Sequence, residues 1–481
     1  MIRLFTILVI CLLSACGSIE KEQLPNVVFI LVDDLGWSDL PAYGNQFHET
    51  PHIDRLAAEG LLFTDAYVAS PVCSPSRASI MAGQYPTRLG VIDFIPGHWR
   101  PYEEVIVPQN RTQYLPEETM TLGEMMKDAG YSTAYFGKWH LGNSPEHHPS
   151  NQGFDRAYET AGRYYGFDFN PSKPVDPKER LSETLTNMSL EFIEENQGHP
   201  FFLFLSHFDV HVPLDADDTL INKYLNKEKA EGYPSNAVYA AMIEHLDHSV
   251  GRIVGKLDEL NLSENTMVIF FSDNGGLVSR FDKKSVMAKD KQDVHANDPR
   301  CCISTVNDPL RNEKGTLFEG GIRVPLIIKW PSEIDQPGQS SSLLTGVDFF
   351  PTFLDLTGQS WTDNQVLDGE SLIPILSGKE QKPDRTIYWH YPVYHHGFPA
   401  SAVRQGDWKL IENLVNGEKM LFNLLEDLSE TQNQIDTYPE RAADLYKLLS
   451  NWRGKVDARF PKENPNFDTE KRYEWGPHPG W

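Results

Sequence analysis

The chain has 481 residues, 40% of them hydrophobic, enough for one large core with a smaller unit beside it and too apolar for a disordered chain. Its 43 basic and 68 acidic residues give a net charge of −25, so no nucleic-acid partner is expected, because phosphate binding needs a basic footprint. A site for an anion must be a local basic pocket set against this general field.

In chain order, Met1-Ile2-Arg3, the apolar run Leu4–Leu13 and Ser14-Ala15-Cys16 read as an export signal, too short to span a bilayer as a mature helix. Leu13-Ser14-Ala15-Cys16 resembles a bacterial lipobox. It predicts a lipoprotein signal peptide over 1–15, lipidation of Cys16 and attachment to a cell membrane, in the periplasm or at the surface, through the lipid anchor alone. An ordinary cleaved signal is the alternative.

Apolar runs at Val27–Val32, Ser132–Phe136, Phe201–Leu205, Met267–Phe271 and Val324–Trp330 predict buried strands, and a helix over Thr121–Ala129 stops at Gly130. Alternation of strand and helix predicts an α/β fold with a mostly parallel central sheet flanked by helices. Leu277–Asp308 is polar and aperiodic and reads as a long loop near the site. Short strands at Ile387–Tyr391, Ser401–Arg404 and Trp408–Glu412, with a helix over Tyr438–Ser450, predict a smaller C-terminal α+β domain with a short antiparallel sheet. The expected division is a catalytic domain over 25–370 and a smaller domain over 371–481.

Such sheets bind ligands beyond the carboxyl ends of their strands. The residues found there are Asp33 and Asp34; Lys138 and His140; His207, Asp209 and His211; and Asp273 with Asn274. Asp33, Asp34, Asp273 and Asn274 form a hard oxygen set suited to Ca²⁺ or Mg²⁺ rather than a soft metal; helix capping by Asp is the structural alternative. Cys11 and Cys16 belong to the signal, and Cys301-Cys302 are adjacent with no disulfide framework around them, which leaves Cys73 alone. In Cys73-Ser74-Pro75-Ser76-Arg77, Pro75 suits the first turn of a helix that Gly83 ends. Cys73 is thus expected at a helix N-terminus, where N–H groups favour an anion, with Arg77 one turn on and able to reach back. A buried structural cysteine is the alternative.

Cys73-x-Pro-Ser-Arg77 followed by Ala82-Gly83 resembles the signature of the type I, formylglycine-dependent sulfatases, arylsulfatase-like members of the alkaline-phosphatase-like superfamily. Asn26–Asp34, Gly137–Gly142, His211-Val212-Pro213, Ser272–Gly276, Lys314-Gly315-Thr316, Glu319–Pro325, Trp389–Pro392 and Arg404–Leu410 extend the resemblance in order. The resemblance implies that a maturation enzyme oxidises Cys73 to formylglycine, whose hydrate attacks sulfur. Asp33, Asp34, Asp273, Asn274 and residue 73 would hold the divalent metal. Arg77 would orient the attacking hydroxyl, Lys138 and Lys314 would bind sulfate oxygens, His211 would protonate the leaving oxygen, and His140 would bind sulfate or move the second proton. His207, the cluster around His390, His395 and His396, and Arg163 to Tyr165 could be packed or substrate-facing, while Glu319 and Arg323 read as a structural pair. The likeness is to bacterial polysaccharide-utilisation sulfatases, with an algal polymer such as ulvan, carrageenan or fucoidan as expected substrate and host mucin or glycosaminoglycan sulfate as the next possibility. A phosphodiesterase or phosphonate monoester hydrolase is the enzymatic alternative, and a non-catalytic glycan-binding protein the other.

Overall fold

All seven residues of Asn26–Val32 are buried, because this strand lies at the centre of a sheet covered on both faces. Its side chains alternate between two cores: Val27, Phe29 and Leu31 join one cluster, Val28, Ile30 and Val32 the other. The computed structural model describes residues 24–476 except 110, 161, 283 and 362–364, so the predicted signal and Cys16 lie outside the described residues. Across the eight-stranded sheet the order is Gly338–Ser340, Leu61–Phe63, Leu326–Lys329, Thr266–Ser272, Asn26–Val32, Phe201–Ser206, Ser132–Gly137 and Arg156–Glu159. Helices Cys73–Ala82 and Phe349–Thr357 pack on one face, and Leu181–Glu195 and Ala237–Glu259 on the other.

The sheet is mostly parallel, as expected, with one departure. The strand predicted over Val324–Trp330 is shorter, Leu326–Lys329, and runs antiparallel to both neighbours. Periodicity reports burial, not direction, so nothing in its sequence could have shown this. Leu61–Phe63, Arg156–Glu159 and Gly338–Ser340 complete the sheet; they are too short or too polar to stand out in sequence.

The C-terminal strands pair antiparallel in the order Thr386–Tyr391, Ala400–Gln405, Trp408–Asn413 and Lys419–Asn423, the last unforeseen. Helix Pro439–Lys455 covers them through Leu445, Leu449 and Trp452. Lys409 ties this sheet to the short helix Glu319–Ile322: its ammonium, fully buried, meets Glu319 at 2.7 Å and Glu430 at 2.9 Å. The Glu319–Arg323 pair forms at 3.3 Å and joins this network.

Candidate active site

Register sets the site. Leu31 lies opposite Ser206, Val32 opposite Ser272 and Gly137 opposite Ser206, so four strands end level. The backbone pairing continues one step further, through Asp273 N–H to Val32 O, Lys138 N–H to Ser206 O and Asp33 N–H to Asp209 O. Asp33, Lys138 and Asp273 are therefore neighbours by construction. Gly137 permits the turn into Lys138: its φ is +116°, and a Cβ there would lie 1.8 Å from the Ser206 carbonyl oxygen.

Cys73 opens the helix Cys73–Ala82, all of it buried, and Gly83 caps the other end in the left-handed region. Burial pushes the thiol above its ordinary pKa, against the pull of Lys138 and Lys314. A resting thiol nucleophile is thus disfavoured. Arg77 does not turn back to bond Cys73. Its guanidinium donates to Asp273 at 2.8 Å, the Lys138 carbonyl at 2.7 Å and Ser206 Oγ at 2.6 Å, which fixes two strand ends against the helix.

The carboxylates are held by cations. Lys138 Nζ is 2.5 Å from Asp33, and Lys314 Nζ bonds Asp34. Burial raises both acids, but Lys138 on Asp33 and Lys314 on Asp34, each aided by His211, outweigh it and hold them below the usual range. Asp273 goes the other way, raised by burial and by repulsion from Asp33. Three carboxylates thus face Arg77, Lys138 and Lys314 in electrical balance.

Oxygen atoms remain unclaimed. Asp33 Oδ1, Asp34 Oδ2 and Asn274 Oδ1 are buried with no hydrogen-bond donor. Unsatisfied buried oxygens from three residues are costly unless a cation meets them, and an all-oxygen set fits a hard divalent ion. Asp273 stands beside them, but Arg77 and the Asp34 N–H occupy its oxygens at 2.8 and 3.2 Å. His211 also brings a ring nitrogen to within 4.8 Å of ligand atoms of Asp33 and Asp34.

The two histidines differ in what their rings meet. His140 Nε2 lies 2.6 Å from the Ile95 carbonyl oxygen, so it carries the proton, while Nδ1 is buried without a partner. Burial, then Lys138, hold this ring far below its ordinary pKa, and its Nδ1 is a lone pair. His211 donates from Nδ1 to the Val212 carbonyl at 2.6 Å, and its Nε2 faces Asp34 at 3.6 Å. Burial lowers its pKa, opposed by Asp34.

Cys73, Lys138, His140, His211 and Lys314 all open onto one cavity of about 860 Å³. Leu277, Arg280 and Phe281, from the start of the predicted long loop, line it, with His395 and His396. His98 and Ile95 also line it, and no spacing in the sequence singled them out. Other predicted candidates are structural. His207 is buried against Ser249 at 3.1 Å, and Asp209 pairs with Arg180. His390 bonds Ser401 and the Arg459 carbonyl, and the Tyr164 hydroxyl bonds the Phe208 carbonyl at 3.0 Å.

A cavity beyond the strand ends of an α/β sheet, lined by Lys138 and Lys314 with Asp33 and Asp34 buried against those lysines, suits an anionic ester. The Sulfatase family model matches residues 25–359, and the chain belongs to that family. The C-terminal model of N-sulphoglucosamine sulphohydrolase matches residues 312–454. N-acetylgalactosamine-6-sulfatase of Canis lupus familiaris is 32% identical over 421 residues, covering 82% of this chain and 73% of that protein. A sulfatase of Formosa agariphila is 30% identical, covering 96% of this chain and 93% of its own. The crystal structure of Ps i-CgsB in complex with k-i-k-neocarrahexaose superposes with a TM-score of 0.75 at 26% identity, covering 93% of this chain and 96% of that one. The protein is a sulfuric ester hydrolase.

Proposed function

We propose that this sulfatase removes sulfate from an algal polysaccharide or its oligosaccharides outside the cytoplasm, with ulvan the first polymer to test. Carrageenan is the second, favoured by the likeness to a protein crystallised with k-i-k-neocarrahexaose. The observation that carries the chemistry is Cys73 at a helix N-terminus, on the wall of a cavity that Lys138 and Lys314 also line. Oxidised to formylglycine by a maturation enzyme, residue 73 would supply a hydrated aldehyde as nucleophile, and a divalent ion, Ca²⁺ first, would supply Lewis acidity beside it. Asp33, Asp34, Asp273, Asn274 and residue 73 would hold that ion.

The chain's own groups do the rest. Lys138 and Lys314 hold the sulfate oxygens and offset charge building on them. Arg77 keeps Asp273 and the Lys138 turn in place and favours the ionised form of the attacking hydroxyl. His211 protonates the leaving sugar oxygen from Nε2, and the His140 Nδ1 lone pair receives the proton of the second hydroxyl as sulfate departs. The lipobox reading completes the proposal: residues 1–15 are removed, Cys16 is lipidated, and the catalytic domain over 25–370 and smaller domain over 371–481 stand at a cell membrane.

Sulfate release from a panel of ulvan, carrageenan and fucoidan oligosaccharides, joined to peptide mass spectrometry across residue 73, tests this. The expected result is release from at least one algal oligosaccharide by protein carrying formylglycine. Active protein with an unmodified Cys73 thiol would overturn the mechanism. Cys73→Ser is expected to bind the metal and lose turnover.

A further inference from the structure

The long loop and the C-terminal unit meet over the cavity through two adjacent histidines that sulfate-ester cleavage does not use. His395 and His396 both line it. His396 Nε2 lies 2.8 Å from the Ser279 carbonyl oxygen. A carbonyl only accepts, so this nitrogen carries a proton. His395 Nδ1 and His396 Nδ1 are 2.7 Å apart, and one of them must donate. Burial, reinforced by Lys314 and Arg100, holds both rings neutral; His396 is brought down to about 4. A neutral imidazole has one N–H, and His396 has committed its own to Ser279. Its Nδ1 therefore accepts, His395 donates from Nδ1, and His395 Nε2 is left as a lone pair. That nitrogen has no hydrogen-bond partner among the described residues and is not among the buried, unbonded atoms.

The ring is fixed in place. A Cβ on Gly315 would fall 2.2 Å from His395 Nδ1, so the ring occupies the space that glycine leaves beside Lys314. His98 stacks on it with centroids 5.2 Å apart, and Arg100 holds its carbonyl at 2.7 Å. An acceptor so fixed cannot rotate into a donor.

We propose that His395 is a specificity-determining residue, whose Nε2 accepts a hydrogen bond from one free hydroxyl of the sulfated substrate and so disfavours a sugar bearing a second sulfate or a carboxylate there. The reason is polarity: a lone pair bonds an O–H and repels an anionic oxygen, and a site built to bond a hydroxyl discriminates against analogues lacking it. The proposal rests on the sulfated-glycan reading.

The test uses the mature, formylglycine-containing enzyme. Its probes are monosulfated galactose, rhamnose and fucose glycosides, with counterparts in which each free hydroxyl is replaced by hydrogen or by sulfate. For a sugar that the wild type turns over, both replacements at one position are expected to lower kcat/KM about tenfold or more, a difference that His395→Ala abolishes. The same preference persisting in His395→Ala overturns the proposal and leaves the glycan reading standing. Turnover of 4-nitrophenyl sulfate but of no sulfated sugar removes the glycan reading and the proposal with it. Nitrogen-15 spectra of histidine-labelled wild type, independent of how the variant folds, are expected to show His395 as the Nδ1–H tautomer; an Nε2–H tautomer or an imidazolium at pH 7 overturns it.

Discussion

Histidines in this cavity share one residue type, yet the second ring nitrogen gives each a different task. His140 presents a lone pair because its other nitrogen donates to Ile95, whereas His211 turns Nε2 toward Asp34. A proton donor to a sugar oxygen must be charged, and burial lowers the His211 pKa. Its protonated fraction therefore falls as pH rises, and kcat on sugar sulfates is expected to decline on the alkaline side. His211→Ala is expected to cost about 10²-fold or more on a sugar sulfate and clearly less on 4-nitrophenyl sulfate, whose leaving group needs no proton; steady-state kinetics on both substrates checks this. Equal losses on the two would remove the acid role.

Away from the cavity, Asp247 shows the same physics acting on stability. Its Oδ1 accepts the N–H groups of His52 and Ile53 at 2.9 and 2.8 Å, at the start of the helix Pro51–Ala58. Burial nevertheless pushes its carboxyl up to about 7. The native acid keeps a proton that the unfolded chain has lost, so this group weakens the fold as pH rises from about 4 to about 7. Asp247→Asn keeps an acceptor without the charge. It is expected to flatten that slope and to raise stability at pH 8 by on the order of 2 kcal/mol, read from denaturant unfolding at several pH values.

At the scale of elements, the site depends on where strands stop. Lys138 and Asp273 are adjacent to Asp33 because four strands end level, and Gly137 permits the turn into Lys138. Gly137→Ala would drive a methyl into the Ser206 carbonyl at a φ that alanine resists. A loss of about 3 kcal/mol or more is expected, measured by thermal unfolding, together with reduced turnover from a displaced Lys138. The helix at Cys73 was legible because Pro75 and Gly83 mark its ends. The direction of Leu326–Lys329 was not, since an apolar run looks alike from either end.

For the whole molecule, a net charge of −25 coexists with a site where three carboxylates and three cations balance locally. Buried oxygens without donors on Asp33, Asp34 and Asn274 suit the proposed hard-cation site, which the unfolded chain would lack. Removing divalent ions with a chelator is expected to lower Tm by several degrees, and calcium to restore it, because saturation at about a hundred times Kd contributes about 2.7 kcal/mol. An unchanged Tm would count against the site. Lys409, buried between Glu319 and Glu430, fastens the C-terminal sheet to the segment that follows Lys314.

The sequence by itself determined the sheet class, the helix behind Cys73 and the polar residues gathered beyond the strands, because burial, capping and strand ends leave local marks. It pointed to His395 and His396 as a cluster but could not assign them a role. Tertiary structure alone decided that Arg77 bonds Asp273 and the Lys138 carbonyl, that His207 and Asp209 are structural, and that Ile95, His98 and Arg280 reach the cavity. The reason is physical: a residue's type and spacing limit which bonds it can make, but the partner of each donor and acceptor is chosen by segments far away in the chain.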